Sequence, residues 1–262
     1  MLNENCEKLK NTELFVLDMD GTIYLGNKVF PEAIEFVSYV KNSGRKVIFF
    51  TNNASKNPIV YYEKLKNMGF EVSKEDILTS GDVTAGYLNK YHKGEPIYLV
   101  GTPELEQSFL NCGIMLTDKA NIVVTSFDIT LTYKKLETAC HLIRNGALFL
   151  STHPDFNCPT EDGFIPDCGS INALITASTG KKPRYFGKPY KETAEMIFHF
   201  SGIPPEKTAI VGDRLYTDIA LGKNNRITSV LVFTGETKRK DLNKSNAPDI
   251  CLENIGEITR FL

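Results

Sequence analysis

One short apolar run constrains the fold most strongly. Residues 14–17 read Leu-Phe-Val-Leu and lead directly into Asp18-Met19-Asp20-Gly21-Thr22. An uninterrupted run of this length is typical of a strand buried on both faces, as in a parallel sheet. Gly21 breaks the pattern, so both carboxylates are expected on a loop at the carboxyl end of that strand. Open α/β sheets bind their ligands at this edge.

The same pattern of short buried strand and amphipathic helix continues along the chain. The sequence predicts further strands at 46–50, 77–78, 97–100, 122–125, 147–150, 208–211 and 229–233, with helices between them. Strands that alternate with helices in this way indicate βαβ units and a parallel sheet.

Two polar breaks, at 92–96 and 181–183, divide the pattern. They predict a Rossmann-like parallel-sheet core formed by residues 1–93 and 183–262, with an inserted α/β module at 94–182. Inside the insertion, residues 151–169 form a segment rich in Pro, Asp, Gly and Cys. So long a loop without evident secondary structure suggests a functional role.

Composition excludes several classes of protein. The chain has 262 residues, 42% of them hydrophobic, and a formal net charge of -2 with its basic residues dispersed. It therefore has enough apolar residues for a hydrophobic core, and it lacks the clustered basic residues that bind nucleic acid. The sequence has no Cys-x-x-Cys pair that would indicate a zinc site. No stretch reaches the ~20 apolar residues of a membrane span. Six scattered cysteines and a polar start favour a cytoplasmic protein with reduced thiols.

Four polar clusters end or follow predicted core elements, and their chemistries complement one another. Asp18, Asp20 and Asp213 offer hard oxygen ligands that suit Mg²⁺. Lys188 offers a point charge for a phosphate, and Thr51 and Asn52 offer neutral hydrogen-bond donors. Taken singly, each cluster is also explained as a turn, a helix cap or a surface lysine. Their coincidence favours a phosphate site, where acidic side chains require a cation before a dianion can enter.

These motifs resemble those of the haloacid dehalogenase superfamily, the phosphoaspartyl phosphatases. The segment 18–22 is similar to its first motif, Thr51 to the second, Lys188 to the third, and Asp213 with Asp218 to the fourth. The fuller segments 51–53, 187–189 and 212–219 resemble subfamily IIA, which includes NagD-like, 4-nitrophenyl phosphate and phosphoglycolate phosphatases. That branch carries a large α/β cap of type C2 between its second and third motifs, where the insertion falls here.

The resemblance implies a Mg²⁺-dependent phosphomonoester hydrolase for a small phosphorylated metabolite. Asp18 would be the nucleophile that forms an aspartyl-phosphate, and Asp20 the general acid and base. It further implies that Mg²⁺ is held by Asp18, Asp20 and Asp213, with Asp218 in a supporting role. The residues implied to bind the phosphate are Thr51, Asn52, Asn53 and Lys188.

One departure from the family falls in the inserted module. A Thr-Asn-Pro-Asp stretch is expected there, and this chain reads Thr152-His153-Pro154-Asp155. His153 and Asp155 are therefore candidates for substrate specificity.

Three alternatives remain open at this point. A phosphomutase is disfavoured by the late position of the inserted module. A metal-independent dehalogenase of the same superfamily normally lacks the second acid, so Asp20 argues against it. A non-catalytic phosphate-binding or interaction protein would not need both Asp18 and Asp20. The expected partner is a small-molecule phosphate ester, with no nucleic acid and no membrane, and a homodimer is left open.

Overall fold

The computed structural model describes residues 7–160 and 162–262, which form two compact units. The core unit contains the chain through Thr51, together with Tyr61–Leu78 and Lys188–Leu262. The insert unit contains Asn52–Val60 and Thr79–Gly187. A parallel-sheet core and an inserted α/β unit confirm the predicted fold class.

The core unit is built on a six-stranded sheet in the order β14-β13-β12-β1-β4-β5. Its central strand β1 pairs in parallel with β12 on one side and with β4 on the other. All four residues of β1 are buried, as the apolar run predicts. The strands are β1 (Leu14–Leu17), β4 (Lys46–Thr51), β5 (Ile77–Thr79), β12 (Thr208–Gly212), β13 (Thr228–Val232) and β14 (Ile250–Leu252), with a small hairpin of β2 (Tyr24–Leu25) and β3 (Lys28–Val29).

Helices of the core unit follow its strands along the chain. They are α1 (Pro31–Asn42), α2 (Pro58–Asn67, shared with the insert unit at its first turn), α7 (Lys191–Ser201) and α8 (Ala220–Asn225). Pro31 starts α1 because its missing N–H costs nothing in the first turn. Phe36 of α1 packs edge-to-face on Phe15 of β1, with ring centroids 5.3 Å apart. This contact ties the first helix to the strand that carries Asp18.

The insert unit has its own parallel sheet, in the order β11-β8-β7-β6. Its strands are β6 (Ile97–Val100), β7 (Ile122–Thr125), β8 (Leu148–Ser151) and β11 (Arg184–Tyr185), and an antiparallel hairpin joins β9 (Asn157–Thr160) to β10 (Gly163–Pro166). Its helices are α3 (Ser80–Tyr91), α4 (Pro103–Asn111), α5 (Tyr133–Arg144) and α6 (Cys168–Thr179).

The two units divide the chain at 51/52, 60/61, 78/79 and 187/188, whereas the sequence predicts boundaries at 93/94 and 182/183. Helix α3 belongs to the insert unit, where a Cβ at its Gly81 would lie only 2.8 Å from Leu105 of α4. Segment 52–60 joins the same unit, since Thr102 Oγ1 donates to the carbonyl of Ser55 at 2.8 Å. At the far end, β11 adds an edge strand to the insert sheet.

The predicted loop at 151–169 contains the β9–β10 hairpin, which the sequence analysis missed. All four residues of β10 are exposed, so no buried face imposes a hydrophobic alternation. Among the described residues, no helix combines the length and the apolar character that a membrane crossing requires.

Candidate active site

Asp18 lies where β1 ends, as the sequence predicts. Its N–H donates to the carbonyl of Val211 at 2.9 Å and so continues the pairing of β1 with β12. Thr22 Oγ1 donates to Asp18 Oδ2 at 3.4 Å. Burial raises the pKa of Asp18 to about 6, against the opposing pull of the Lys188 ammonium. Loss of water therefore disfavours the ionised form of this carboxyl group, and the charge of Lys188 favours it.

Lys188 is buried and pairs with two carboxylates of the core unit. Its ammonium contacts Asp18 Oδ1 and lies 2.6 Å from Asp218 Oδ1. Burial by itself would lower the pKa of Lys188, but the adjacent charges of Asp18 and Asp218 raise it. The side chain thus remains a cation at neutral pH, which is the property that a phosphate ligand requires.

Asp213 follows directly after β12 and is also buried. Its Oδ2 accepts the N–H of Glu236 at 2.6 Å, while its Oδ1 has no hydrogen-bond partner among the described residues. Burial, and next the negative charges of Asp18 and Asp218, raise the pKa of Asp213 to about 8. A buried carboxylate oxygen without a hydrogen-bond partner costs free energy. Here it marks a position that suits a bound cation.

Asp218 is presented by a π-helical turn, Leu215–Ile219, that follows Asp213. Such turns are rare and often occur at functional sites. The N–H of Arg214 and the hydroxyl of Thr217 both donate to Asp218 Oδ2, at 3.2 and 3.3 Å. This leaves Asp218 Oδ1 to face Lys188.

Asp18, Asp213 and Asp218, with Lys188, are here called the acid cluster. Ligand oxygens of the three carboxylates lie within 4.8 Å of one another. Three carboxylates face one ammonium, so the cluster carries excess negative charge. Hard oxygen donors, a buried orphan oxygen and this excess charge all fit a divalent cation such as Mg²⁺.

The predicted metal ligands and the observed cluster overlap in Asp18 and Asp213. The structure gathers Asp218 with them, and Asp20 is not part of this group of close carboxylates. Asp20 lies in the same loop as Asp18, and its Oδ1 accepts the N–H of Gly26 at 3.4 Å. Thr51 is buried at the end of β4 in the same unit.

The other predicted site residues belong to the insert unit. Asn52 Nδ2 donates to Asp155 Oδ2 at 3.0 Å, and Asn53 Oδ1 accepts from Ser55. His153 is buried, with Nδ1 2.9 Å from Thr152 Oγ1 and Nε2 2.8 Å from Asp167 Oδ1. Their predicted roles in phosphate binding and specificity stay predictions.

His153 is part of a larger buried group, here called the insert network: Thr125, Ser151, Thr152, His153, Asp167, Cys168 and Asn172. Asn172 links two of its members, accepting from Thr125 at 2.5 Å and donating to Ser151 Oγ at 2.7 Å. Asp167 Oδ1 accepts the N–H of Cys168 at the start of α6. The network therefore joins β7 and β8 to α6.

Sequence reasoning missed three contributors to the core-unit site. Thr22 stands inside the predicted motif, but its hydroxyl contact with Asp18 needed the structure. Arg214 pairs through Nε with Glu236 Oε2 at 3.1 Å, and its charge lowers the pKa values of both Asp18 and Asp213. Thr234 follows β13 at the same edge of the sheet. This position after a predicted strand is the sequence signal that could have identified it.

Known proteins resemble this chain in sequence and in fold. The family model for haloacid dehalogenase-like hydrolases matches residues 15–115, and a second model for hydrolases of this type matches residues 185–258. The acid sugar phosphatase of Staphylococcus saprophyticus is 34% identical over 97% of this chain and 99% of its own length. The 5'-nucleotidase YutF of Bacillus subtilis is 34% identical over 89% of this chain and 92% of its own length.

The crystal structure of 4-nitrophenylphosphatase from Thermotoga maritima superimposes with a TM-score of 0.93 at 44% identity, covering 97% of this chain and 98% of that one. The chain therefore belongs to the haloacid dehalogenase-like hydrolases. Within them it is a phosphoric monoester hydrolase of subfamily IIA, the group of NagD and the 4-nitrophenylphosphatases.

Proposed function

We propose that the chain is a Mg²⁺-dependent phosphatase that hydrolyses a small phosphorylated metabolite through an aspartyl-phosphate on Asp18. The observation that carries this proposal is the acid cluster. It combines a nucleophile, a fixed cation and an unpartnered carboxylate oxygen at one edge of a parallel sheet. The printed names of the relatives, acid sugar phosphatase and 5'-nucleotidase, support small phosphate esters as the substrate class.

In this mechanism Asp18 Oδ attacks phosphorus and displaces the alcohol. Asp20 gives a proton to the leaving oxygen and then takes one from the water that hydrolyses the aspartyl-phosphate. Lys188 neutralises phosphoryl oxygens, and Thr51, Asn52 and Asn53 are assigned as further phosphate ligands. When bound, Mg²⁺ supplies charge stabilisation to the transferring phosphoryl group.

Asp18 and Asp213 would hold the metal, as would Asp20, and Asp218 would keep Lys188 in position. His153 and Asp155 are proposed to act in substrate selection. The proposed cytoplasmic location is supported by the free thiols of the described cysteines, 112, 140, 158, 168 and 251.

Phosphate release tests the proposal directly. Purified protein would be assayed on 4-nitrophenyl phosphate, sugar phosphates, nucleoside monophosphates, phosphoglycolate and pyridoxal phosphate, with Mg²⁺ and with excess chelator. We expect hydrolysis that chelator abolishes and Mg²⁺ restores. Turnover of a haloacid in chelator would indicate the dehalogenase alternative, and no turnover of any ester would indicate a binding protein.

A further inference from the structure

A four-residue segment after β13, Thr234–Thr237, contacts both loops of the acid cluster and is here called the bridging segment. Thr234 Oγ1 donates to the carbonyl of Gly21 at 2.6 Å, within the loop that Asp18 begins. The N–H of Glu236 donates to Asp213 Oδ2 at 2.6 Å, and the N–H of Thr237 donates to the Asp213 carbonyl at 3.3 Å. One short segment thus connects the ends of β1 and β12.

Glycines enclose the Asp213 carboxylate from two sides. A Cβ at Gly235 of the bridging segment would overlap Asp213 Oδ2, and a Cβ at Gly21 would lie 2.6 Å from the same oxygen. Gly21 also has φ +90, which L side chains rarely adopt. The carboxylate can therefore occupy this position only because both residues lack a side chain.

The bridging segment is itself anchored to the loop that carries Asp213. Glu236 Oε2 lies 3.1 Å from Arg214 Nε and accepts the hydroxyl of Tyr216, also at 3.1 Å. The side chains of Thr234 and Glu236 and the N–H groups of Glu236 and Thr237 consequently fix the segment. Thr234 is the member whose side chain reaches the Asp18 loop.

We propose that Thr234 is a positioning residue that sets the separation of Asp18 and Asp213, and so the geometry in which they hold a divalent cation. The inference rests on the proposed function. Thr234 does not touch the reacting atoms. It acts through the Gly21 carbonyl, while the backbone of the same segment orients Asp213.

Three substitutions test this role. Thr234→Val keeps the shape and removes the hydroxyl, and Thr234→Ser restores it. Thr259→Val is the matched control, because Thr259 Oγ1 also donates to a glycine carbonyl, that of Gly256 at 2.8 Å, outside the cluster. Mg²⁺ binding would be measured by titration calorimetry without substrate, and kcat and KM would be measured on 4-nitrophenyl phosphate across Mg²⁺ concentrations.

We expect Thr234→Val to bind Mg²⁺ about tenfold more weakly, as the loss of one hydrogen bond allows. Its kcat should recover partly at high Mg²⁺, Thr234→Ser should behave like wild type, and Thr259→Val should leave Mg²⁺ affinity unchanged. Wild-type affinity in Thr234→Val would overturn the inference alone. A Thr234→Val protein that fails to fold would also overturn it, since the hydroxyl would then serve stability. No Mg²⁺ binding by wild type would overturn the proposed function as well.

Discussion

The acid cluster and the insert network are both buried and polar, yet they are completed in opposite ways. In the insert network, hydrogen bonds between side chains or to backbone groups engage every member. In the acid cluster, the one lysine pairs with two of the three carboxylates, and Asp213 Oδ1 has no hydrogen-bond partner among the described residues. A completed network stabilises its unit, whereas an incomplete one is ready for a ligand.

The pKa shifts express the same difference. Burial, and next the charges of Asp18 and Asp218, raise the pKa of Asp213 to about 8, because the positive charge of Arg214 does not offset them. In the insert network, burial raises the pKa of the Cys168 thiol to about 12, so that group stays neutral and needs no counter-charge. The acid cluster therefore lowers the stability of the core unit, whereas the insert network stabilises the insert unit.

Removing the proposed nucleophile should give the largest effect. Asp18→Asn keeps the size of the side chain but cannot form the proposed aspartyl-phosphate, so turnover should fall on the order of 10⁴-fold or more. The variant also loses one of the mutually repelling carboxylates, and its thermal midpoint without metal should not fall below that of wild type. Activity on 4-nitrophenyl phosphate and calorimetric melting measure the two effects. A clear loss of stability would mean that the cluster is structurally complete.

The acid cluster should also make the folded state of the metal-free protein less stable as the pH rises. The folded-state pKa values of Asp18 and Asp213, about 6 and about 8, exceed the ordinary 3.8. The folded state therefore binds more protons than the unfolded state between pH 4 and 8, and stability should fall as pH rises through this window. Each such proton contributes on the order of 1 kcal/mol per pH unit.

Mg²⁺ should cancel this slope because it holds the carboxylates in their ionised form. The measurement is the melting midpoint from pH 4 to 8 with Mg²⁺ and with chelator, and Asp213→Asn, which has no proton to lose, is the control. Equal slopes with and without Mg²⁺ would show that these carboxylates do not bind the ion.

Breaking the insert network should destabilise the protein and spare the chemistry. Asp167→Ala removes the oxygen that lies 2.8 Å from His153 Nε2 and accepts the N–H of Cys168, at an expected cost of about 1–3 kcal/mol. Asp167→Asn retains an acceptor oxygen and should recover part of the loss. Hydrolysis of 4-nitrophenyl phosphate should change only a few-fold in both variants, and melting curves together with kcat would test this.

Selectivity gives a finer comparison between the two regions. His153→Asn should reorder kcat/KM among natural esters, because it changes the support of Thr152 and of the loop that carries Asp155. A small generic ester should be affected much less. An unchanged ranking across the ester panel would confine His153 to a structural role.

The smallest expected effect concerns thiol labelling: Cys168 should not react in the native protein. Cys168 is buried and neutral, whereas Cys112 and Cys251 are exposed. Brief treatment of native protein with a maleimide should label the two exposed thiols and leave Cys168 unmodified until the protein unfolds. Peptide mass spectrometry would locate the label, and early modification of Cys168 would show that the insert network opens readily.

Much of the core unit was predictable because its strands are buried on both faces. Strands β1, β4 and β12 are apolar runs, and the residues after them, Asp18 and Asp213 among these, lie at the predicted edge. The exposed strand β10 and the two-residue strand β11 leave no hydrophobic period to detect. The sequence likewise cannot reveal that Thr234 reaches Gly21 or that Lys188 bridges Asp18 and Asp218, because these contacts exist only after the sheet has assembled.

The register of the central strand bears on how the protein is made. Leu14 pairs with Thr208, so one neighbour of β1 leaves the ribosome long after β1 itself. The contiguous part of the insert unit, Thr79–Gly187, emerges before that partner does. During synthesis Asp18 therefore emerges long before Lys188 and Asp213, and the acid cluster can form only after β12 has been made. Chains that terminate before Asp213 would consequently lack the assembled site.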